Sequence, residues 1–229
     1  MEFFLDTADL AEIEHWQALG LVDGVTTNPA LLGQGGMDPI RRIKDIAAVV
    51  GGPISVEVTL DDPAAMIEQA VKLNALGDNI LIKIPADRKG FLCAKELKKK
   101  GIRVNVTLVF HASQAVPFIK LGSEYISLFV ARVEDFGLDN IPMIAQARRI
   151  VDNMGSASKI LAASIRNPKY LVEAIEAPAD ALTVPPSTWE KVYNNPMFFL
   201  GEREFMQSWC KLSPELRQEY ESTCLKQGA

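Results

Sequence analysis

The chain is poor in the residues that build metal centres and disulfide frameworks. Among its 229 residues there are three cysteines and two histidines. Cys93, Cys210 and Cys224 lie far apart, which excludes a disulfide scaffold and a cysteine-rich zinc site. His15 falls in a predicted helix and His111 begins another, and neither position favours a metal ligand. We therefore expect no metal, no cofactor and a reducing compartment, the cytoplasm.

Long apolar runs and an excess of positive charge are also missing. No stretch reaches the roughly 18 apolar residues that a membrane-spanning helix requires. The formal net charge is -5, so the electrostatic footprint of a nucleic-acid-binding protein is absent. The first residues, MEFFLD, read as a strand and lack the basic region and cleavage site of a secretory leader. The sequence thus predicts a protein that binds neither nucleic acid nor membrane.

What the chain does have is an alternation of short β-rich runs with longer segments of helical spacing. Eight such runs occur, at residues 3–6, 24–26, 54–58, 80–84, 104–109, 125–130, 159–163 and 181–184. Asp62-Pro63 and Asn167-Pro168 have the form of helix starts, with proline in the first helical position.

Strands that alternate with helices form parallel sheets. Eight such units in a chain of this length predict a single α/β domain over residues 1–229, a (β/α)8 TIM barrel. A doubly wound open sheet is the competing architecture. Residues 201–229 are expected to form a C-terminal helical extension of one or two helices.

Lys83 is the most informative residue, because it lies alone in the apolar run ILIKIP at 80–85. Burying an ammonium group without a partner costs several kcal/mol, and burial favours the neutral amine of a lysine. A neutral amine is the nucleophile that forms a Schiff base with a carbonyl substrate. The run alone leaves two other interpretations open: a lysine that reaches solvent from the strand end, and a lysine held by a structural ion pair.

Side chains alternate between the two faces of a strand, and this alternation gathers polar residues on one face. The residues that share this face are, strand by strand, Phe4 and Asp6, Thr26 and Asn28, Ser55, Glu57 and Thr59, Leu81 and Lys83, Asn105 and Thr107, Ser127 and Phe129, and Ala162 and Ser164. Most of the polar ones lie towards the carboxyl ends of the strands, where barrels carry their active sites. We therefore predict a polar pocket around Lys83.

Residues 24–32, GVTTNPALL, resemble the first signature of the transaldolase family. Four further stretches are similar to that family in order and spacing: FLDTA at 4–8, LIKIP at 81–85, NVTLVF at 105–110 and LAASIRNP at 161–168. The resemblance extends to about residue 184, and the length resembles that of the small transaldolase and fructose-6-phosphate aldolase branch.

The resemblance implies a class I aldol mechanism without a metal, in which Lys83 attacks a ketose carbonyl and forms an imine. It implies that Glu57 and Thr107 share a water for carbinolamine dehydration, and that Asp6 takes a substrate hydroxyl proton during carbon–carbon cleavage. The residues that it implies in substrate binding are Thr26, Asn28, Asn105, Ser127, Phe129 and Ser164, with Arg132 and Arg166 on the sugar phosphate. The alternatives are a salt bridge from Arg132 to Glu134 or Asp135, and a surface arginine at position 166.

Within this family the residues favour transfer over release. In aldolases that release free dihydroxyacetone, the positions matching Phe129 and Glu57 carry tyrosine and glutamine, so both are transaldolase-like here. A phenyl ring cannot donate a hydrogen bond to a hydrolytic water. We expect transfer of a dihydroxyacetone unit from fructose 6-phosphate, or a similar ketose phosphate, to an aldose phosphate, an activity of carbohydrate metabolism and the pentose phosphate pathway. The alternatives are an aldolase that releases free dihydroxyacetone, a transaldolase specialised for an unusual sugar with an anionic head group, and a non-catalytic sugar-phosphate-binding barrel.

Two stretches depart from the family pattern, ADRKGF at 86–91 and SLFVAR at 127–132. Arg88 and Lys89 could add positive charge near a distal anionic group, or lie in a solvated loop. The resemblance also implies a homo-oligomer, a pentamer or decamer, in which the apolar residues of the C-terminal tail contact neighbouring subunits.

Overall fold

The computed structural model describes residues 1–132, 137 and 141–225. In this part of the chain the strands are β1 (Glu2–Asp6), β2 (Gly24–Thr26), β3 (Ile54–Glu57), β4 (Ile80–Pro85), β5 (Val104–Val109), β6 (Tyr125–Phe129), β7 (Lys159–Ala163) and β8 (Ala181–Val184). Each strand pairs in parallel with the next, and β8 pairs with β1, which closes the sheet. The predicted (β/α)8 barrel is confirmed, and the open sheet is wrong.

Helices follow the strands in regular alternation. Their bounds are α1 (Leu10–Ala18), α2 (Pro29–Leu32), α3 (Pro39–Val49), α4 (Pro63–Asn74), α5 (Arg88–Lys99), α6 (Ala112–Leu121), α7 (Ile141–Asn153), α8 (Pro168–Glu176), α9 (Pro186–Tyr193), α10 (Pro196–Trp209) and α11 (Pro214–Leu225). The two predicted helix starts are confirmed. The Asp62 carboxylate accepts the first free backbone N–H groups of α4, and the Asn167 amide oxygen does the same for α8. Both side chains satisfy donors that have no partner within the helix.

Two apolar layers place the cavity at one end of the barrel. The outward-facing residues of the strands pack against the helices and form the larger core. Inside the barrel a smaller apolar cluster fills the interior below the cavity, and its uppermost member, Ala163, lines the cavity: Phe4, Leu81, Tyr125, Leu161, Ala163 and Ala181. Because this cluster closes the interior from below, the space for a ligand lies above it, at the carboxyl ends of the strands.

Gly90 lets α5 pack directly on the strand that carries Lys83. A Cβ atom at Gly90 would lie 2.0 Å from the carbonyl oxygen of Pro85, the last residue of β4. No side chain fits such a close approach of helix and backbone. The turn before α5 is fixed by Asp87, whose carboxylate accepts from the Gly90 N–H at 2.6 Å.

Helices α10 and α11 belong to a second compact unit that begins at Glu190, after the barrel unit of residues 1–189. Helix α10 begins at Pro196, ahead of the boundary predicted at Gly201. The rings of Trp209 and Tyr220 contact each other edge to face, with 5.0 Å between their centroids. Large apolar side chains of this unit are exposed, among them Met197, Phe198, Phe205, Met206 and Tyr220. None of the helices in the described ranges has the length and apolar character needed to cross a membrane.

Candidate active site

Lys83 is buried inside the barrel, with 6% of its surface exposed. Its ammonium group donates a hydrogen bond to the backbone carbonyl of Thr27 at 3.0 Å and lies 3.3 Å from Oε2 of Glu57. Glu57 is the partner of Lys83 in the register of β3 and β4, and its side chain is 15% exposed. The alternative of a lysine that reaches solvent is therefore wrong, and the ion pair is with a residue of the predicted pocket.

A cavity of about 580 Å³ opens above Lys83 at the carboxyl ends of the strands. It brings together all the residues that were predicted to be catalytic or substrate-binding except Asn105: Asp6, Thr26, Asn28, Glu57, Lys83, Thr107, Ser127, Phe129, Arg132, Ser164 and Arg166. The sequence did not single out the other lining residues, which are Pro29, Ala30, Leu31, Leu108, Ala163, Ile165, Thr183 and Pro185. The cavity thus lies where the alternation of side chains predicted a polar pocket, around Lys83 at the carboxyl ends of the strands.

Asn105 lies beneath the cavity and is fully buried. Its Nδ2 donates to Ser55 Oγ at 2.8 Å, and its Oδ1 accepts from Ser127 Oγ at 2.7 Å. These two hydrogen bonds join β3, β5 and β6 across the floor. In this structure Asn105 therefore holds a lining residue, Ser127, and does not line the cavity itself.

Asp6 lies at the end of β1 and is linked to two neighbouring strands through hydroxyl groups. Thr26 Oγ1 donates to Asp6 Oδ1 at 2.8 Å, and Thr26 Oγ1 lies 2.6 Å from Thr183 Oγ1. Burial raises the pKa of the Asp6 carboxyl above its ordinary range, and the charges of Lys83 and Arg132 and the Thr26 hydrogen bond offset this only in part. Asp6 therefore binds a proton more tightly than an exposed aspartate does.

Thr107 brings a buried hydroxyl group to the wall of the cavity, two strands away from Glu57. The two residues come from β5 and β3, on either side of the strand that carries Lys83. The Oγ1 atom of Thr107 is buried and makes no hydrogen bond within the described part of the chain. A buried polar atom of this kind normally binds an ordered water or a ligand oxygen. The Thr107 hydroxyl can therefore bind an ordered water or a ligand oxygen at the cavity wall.

Asn28 has two functions that its position makes compatible. Its Oδ1 accepts the backbone N–H of Leu31 at 3.0 Å and so caps α2. Its side chain also lines the cavity. The cap uses Oδ1, which leaves the Nδ2 group for a ligand. This group can donate a hydrogen bond to a ligand hydroxyl.

Arg132 and Arg166 lie at the rim and are exposed. The Arg132 guanidinium lies over the ring of Phe129, with 5.1 Å between its central carbon and the ring centroid. This contact holds the cation at the mouth of the cavity, where a phosphate group can approach it. Glu134 and Asp135, the alternative partners of Arg132, lie outside the described residues.

The predicted alternation is wrong in β7. Ala162 packs among the helix-facing residues, whereas Leu161 and Ala163 face the interior. Ser164 nevertheless lines the cavity, directly after Ala163. Its backbone has a φ of 65°, a left-handed conformation that breaks the alternation and turns the serine inward.

Leu108 breaks the alternation in β5 in the same way. Its φ is 58°, and the pairing of β5 with β6 shifts register between Val106 and Val109. As a result, Thr107 and Leu108 both line the cavity, although they are consecutive in the chain. Leu108 and Ser164 are the non-glycine residues of the described ranges with positive φ. Such backbone strain costs about 1–3 kcal/mol and concentrates at functional sites.

Three residues from the sequence patterns lie away from the cavity. Arg88 and Lys89 begin α5 and are exposed, and the Lys89 ammonium pairs with Asp61. Thr59 lies beyond the end of β3, where its Oγ1 accepts from Gln69 Nε2 at 2.8 Å. The positive charges of 88 and 89 therefore belong to a solvated helix start.

The charges of the cavity are divided between its floor and its rim. Two carboxylates, Asp6 and Glu57, lie near the Lys83 ammonium, and two guanidinium groups lie at the mouth. The described residues contain no group of three or more His, Cys, Asp or Glu side chains arranged to hold a metal ion. This arrangement can supply an amine nucleophile, proton transfer by two carboxylates in different surroundings, and an anion-binding entrance.

Known proteins resemble this chain over most of its length. The family model for transaldolase/fructose-6-phosphate aldolase matches residues 3–216. A probable transaldolase of Rhizorhabdus wittichii is 42% identical over 92% of this chain and 97% of its own length. A probable transaldolase of Coprothermobacter proteolyticus is 40% identical, with 93% and 98% covered. One from Methanococcus maripaludis is 39% identical, with 91% and 97% covered. The predicted resemblance is confirmed.

Proposed function

We propose that this chain, which belongs to the transaldolase/fructose-6-phosphate aldolase family, transfers a dihydroxyacetone unit between sugar phosphates through a Schiff base on Lys83. As a member of this family the chain is an enzyme of the transaldolase type. The interpretation as a non-catalytic barrel is therefore set aside.

The chemistry begins at the buried amine. The neutral Lys83 amine adds to the C2 carbonyl of the ketose phosphate, and the carbinolamine loses water to give an iminium ion. Glu57, with a water held at Thr107, moves the protons of this dehydration. The cavity geometry supports these roles because Glu57 Oε2 lies 3.3 Å from the lysine nitrogen and the Thr107 hydroxyl has no protein partner among the described residues.

Cleavage follows from the electron demand of the iminium ion. Asp6 takes the proton from the C4 hydroxyl, the C3–C4 bond breaks, and its electron pair enters the enamine on Lys83. An aldose phosphate leaves. The enamine then attacks the aldehyde of an acceptor, Asp6 returns the proton, and hydrolysis of the new iminium ion releases a new ketose phosphate and Lys83. Each step conserves atoms and electrons without a cofactor.

One feature of the cavity supports this proposal most directly. The Lys83 amine is buried in the barrel at the base of the cavity. Two carboxylates lie near it, and one of them, that of Glu57, is in direct contact with it. Two carboxylates in different environments can divide acid and base duties. Arg132 and Arg166 at the rim suit the phosphate of the sugar, since a guanidinium group binds phosphate through paired hydrogen bonds.

Trapping of the imine tests the proposal. The protein is incubated with fructose 6-phosphate and sodium borohydride, digested and analysed by mass spectrometry. We expect a reduced three-carbon or six-carbon adduct on the peptide that contains Lys83. Lys89→Arg, which changes an exposed lysine of α5, is the matched control and should be labelled as the wild type is. A wild-type protein that remains unmodified would contradict the proposal.

Dependence on an acceptor distinguishes transfer from release, and Phe129 is the residue to change. With fructose 6-phosphate alone, the wild type should form little glyceraldehyde 3-phosphate, and erythrose 4-phosphate should accelerate its release. Phe129→Tyr adds a hydroxyl group that can hold a hydrolytic water in the cavity, so acceptor-free release should rise by about threefold to tenfold, the worth of one hydrogen bond. The measurement is coupled reduction of the triose phosphate.

The matched control for that substitution is Phe110→Tyr, because Phe110 contacts the Phe129 ring at 5.3 Å between centroids and does not line the cavity. An unchanged acceptor-free rate in Phe129→Tyr would count against the role of the water. Rapid release by the wild type without acceptor would favour the alternative, an aldolase that frees dihydroxyacetone.

The setting of the enzyme is also part of the proposal. We place the activity in cytoplasmic carbohydrate metabolism, in the pentose phosphate pathway, with a specialised anionic sugar as the alternative substrate. We further propose a homo-oligomer, a pentamer or decamer. The exposed apolar side chains of α10, such as Phe198 and Phe205, support this because large exposed apolar patches mark sites of protein association.

A further inference from the structure

Thr183 lines the cavity and begins a line of hydroxyl groups that leads to Asp6. The line crosses three adjacent strands. Thr183 is on β8, Asp6 is on β1 between its neighbours, and Thr26 is on β2. Thr183 and Thr26 are both buried, with 4% and 2% of their surface exposed.

The direction of each hydrogen bond follows from counting hydrogens. A threonine hydroxyl carries one hydrogen and an ionised carboxylate only accepts. Thr26 gives its hydrogen to Asp6 Oδ1 at 2.8 Å. The contact of 2.6 Å between Thr26 and Thr183 must therefore be donated by Thr183. The order is Thr183 to Thr26 to Asp6 whenever the carboxylate is ionised.

We infer that Thr183 is a positioning residue, which donates to Thr26 and so fixes the orientation of the Thr26 hydroxyl towards Asp6. This inference rests on the proposed function, in which Asp6 takes the C4 hydroxyl proton. With Oδ1 held by Thr26, Oδ2 is the oxygen left to take that proton. Hydrogen bonds in a chain polarise one another, so the donor at Thr183 strengthens the bond at Asp6.

This hydrogen-bond chain affects the pH dependence of kcat. The acidic limb of that profile is the pH range in which activity falls as Asp6 becomes protonated. The charged groups around Asp6 are Lys83 and Arg132, and Glu57 and Arg166 line the same cavity. None of them is altered by a change at Thr183. Loss of the Thr183 donor weakens support for the carboxylate and raises the pKa of Asp6, which moves the acidic limb to higher pH.

The test compares Thr183→Val, which has the same shape without the hydroxyl, with Thr183→Ser, which keeps the hydroxyl. We expect the acidic limb of kcat to move up by about half to one pH unit in Thr183→Val, with the KM for fructose 6-phosphate little changed. Thr183→Ser should keep the wild-type limb. Thr183→Ala is the second variant without a hydroxyl, should the valine fit poorly.

A second measurement does not depend on turnover. In protein labelled with ¹³C at the aspartate carboxyl groups, the Asp6 signal is assigned by its absence in Asp6→Asn and titrated without substrate. Its midpoint should rise in Thr183→Val and not in Thr183→Ser. If neither the midpoint nor the limb moves in a folded variant without the hydroxyl, the inference is wrong.

The two failures are distinguishable. Borohydride labelling of Lys83 reports on the proposed function and should be as strong in Thr183→Val as in the wild type. An unlabelled wild type would overturn the proposed function and with it the catalytic part of this inference, and the titration would still decide the hydrogen-bond chain. A labelled wild type with unchanged titration would overturn the inference alone.

Discussion

Replacing Lys83 by arginine is expected to lower transaldolase turnover by roughly 10⁴-fold to 10⁶-fold, the range seen when an enzyme loses its nucleophile. Arginine keeps the positive charge near Glu57 and Asp6, and a guanidinium group cannot lose its proton to become a nucleophile in a protein. The cavity then retains its carboxylates and its phosphate-binding rim but forms no imine. The assay follows glyceraldehyde 3-phosphate released from fructose 6-phosphate in the presence of erythrose 4-phosphate.

Two companion variants make the result specific to the amine. Lys83→Met has nearly the length of lysine without its charge and should be equally inactive, which separates the loss of the nucleophile from the larger size of arginine. Lys89→Arg should retain wild-type turnover, because Lys89 is exposed and pairs with Asp61 outside the cavity. Turnover within a hundredfold of the wild type in Lys83→Arg would show that the reaction proceeds without an imine at this position.

The position of Lys83 could be predicted because three independent patterns agreed on it. The β-rich run gave the strand, the alternation gave the face, and the LIKIP stretch matched a known family. The strand bounds also needed little correction, since runs of β-branched residues between helical segments leave few alternative pairings. A parallel barrel adds its own constraint, because each strand has to pair with its neighbours in sequence.

Alternation gives the face of a residue but not its depth. Asn105 and Thr107 share the interior face of β5, and yet Thr107 lines the cavity whereas Asn105 lies beneath it. Depth depends on the stagger of neighbouring strands around the barrel, which no single strand encodes. The same limit hid Thr183, whose importance comes from Thr26 on β2, a strand far away in sequence.

Local backbone breaks are the other feature that the sequence did not reveal. Ser164 reaches the cavity because its φ is 65°, and a serine carries no signal for the left-handed region as a glycine would. The prediction therefore paired Ser164 with Ala162 on one face, and Ala162 proved to face the helices. Such strained residues persist where the surrounding fold determines them, so their conformation is a property of the barrel and not of the local sequence.

Asp6→Asn is expected to separate carbon–carbon cleavage from imine formation. Asparagine has the shape of aspartate, and its Oδ1 can still accept from Thr26, but it cannot take the C4 hydroxyl proton. Turnover should fall by about 10²-fold to 10⁴-fold, the usual contribution of a general base. Borohydride should still label Lys83 in this variant, in contrast to Lys83→Arg, and the label should be a six-carbon adduct because cleavage is blocked. Loss of labelling in Asp6→Asn would place Asp6 in the imine step instead.

The raised pKa of Asp6 also predicts how Asp6→Asn changes the free energy of unfolding. The folded protein binds the Asp6 proton more tightly than the unfolded chain, where an aspartate has a pKa of about 3.9. The favourable contribution of the protonated carboxyl is therefore complete below that pH and is lost as the pH rises through the folded pKa. Asp6→Asn should gain free energy of unfolding relative to the wild type at pH 7, and urea denaturation should show this difference shrinking towards pH 4. A variant that gains stability at neutral pH while turnover falls would mean that burial of Asp6 serves proton transfer and not the fold. A difference that does not vary with pH would mean that the pKa of Asp6 is the same in the folded and the unfolded protein, and the prediction would be wrong.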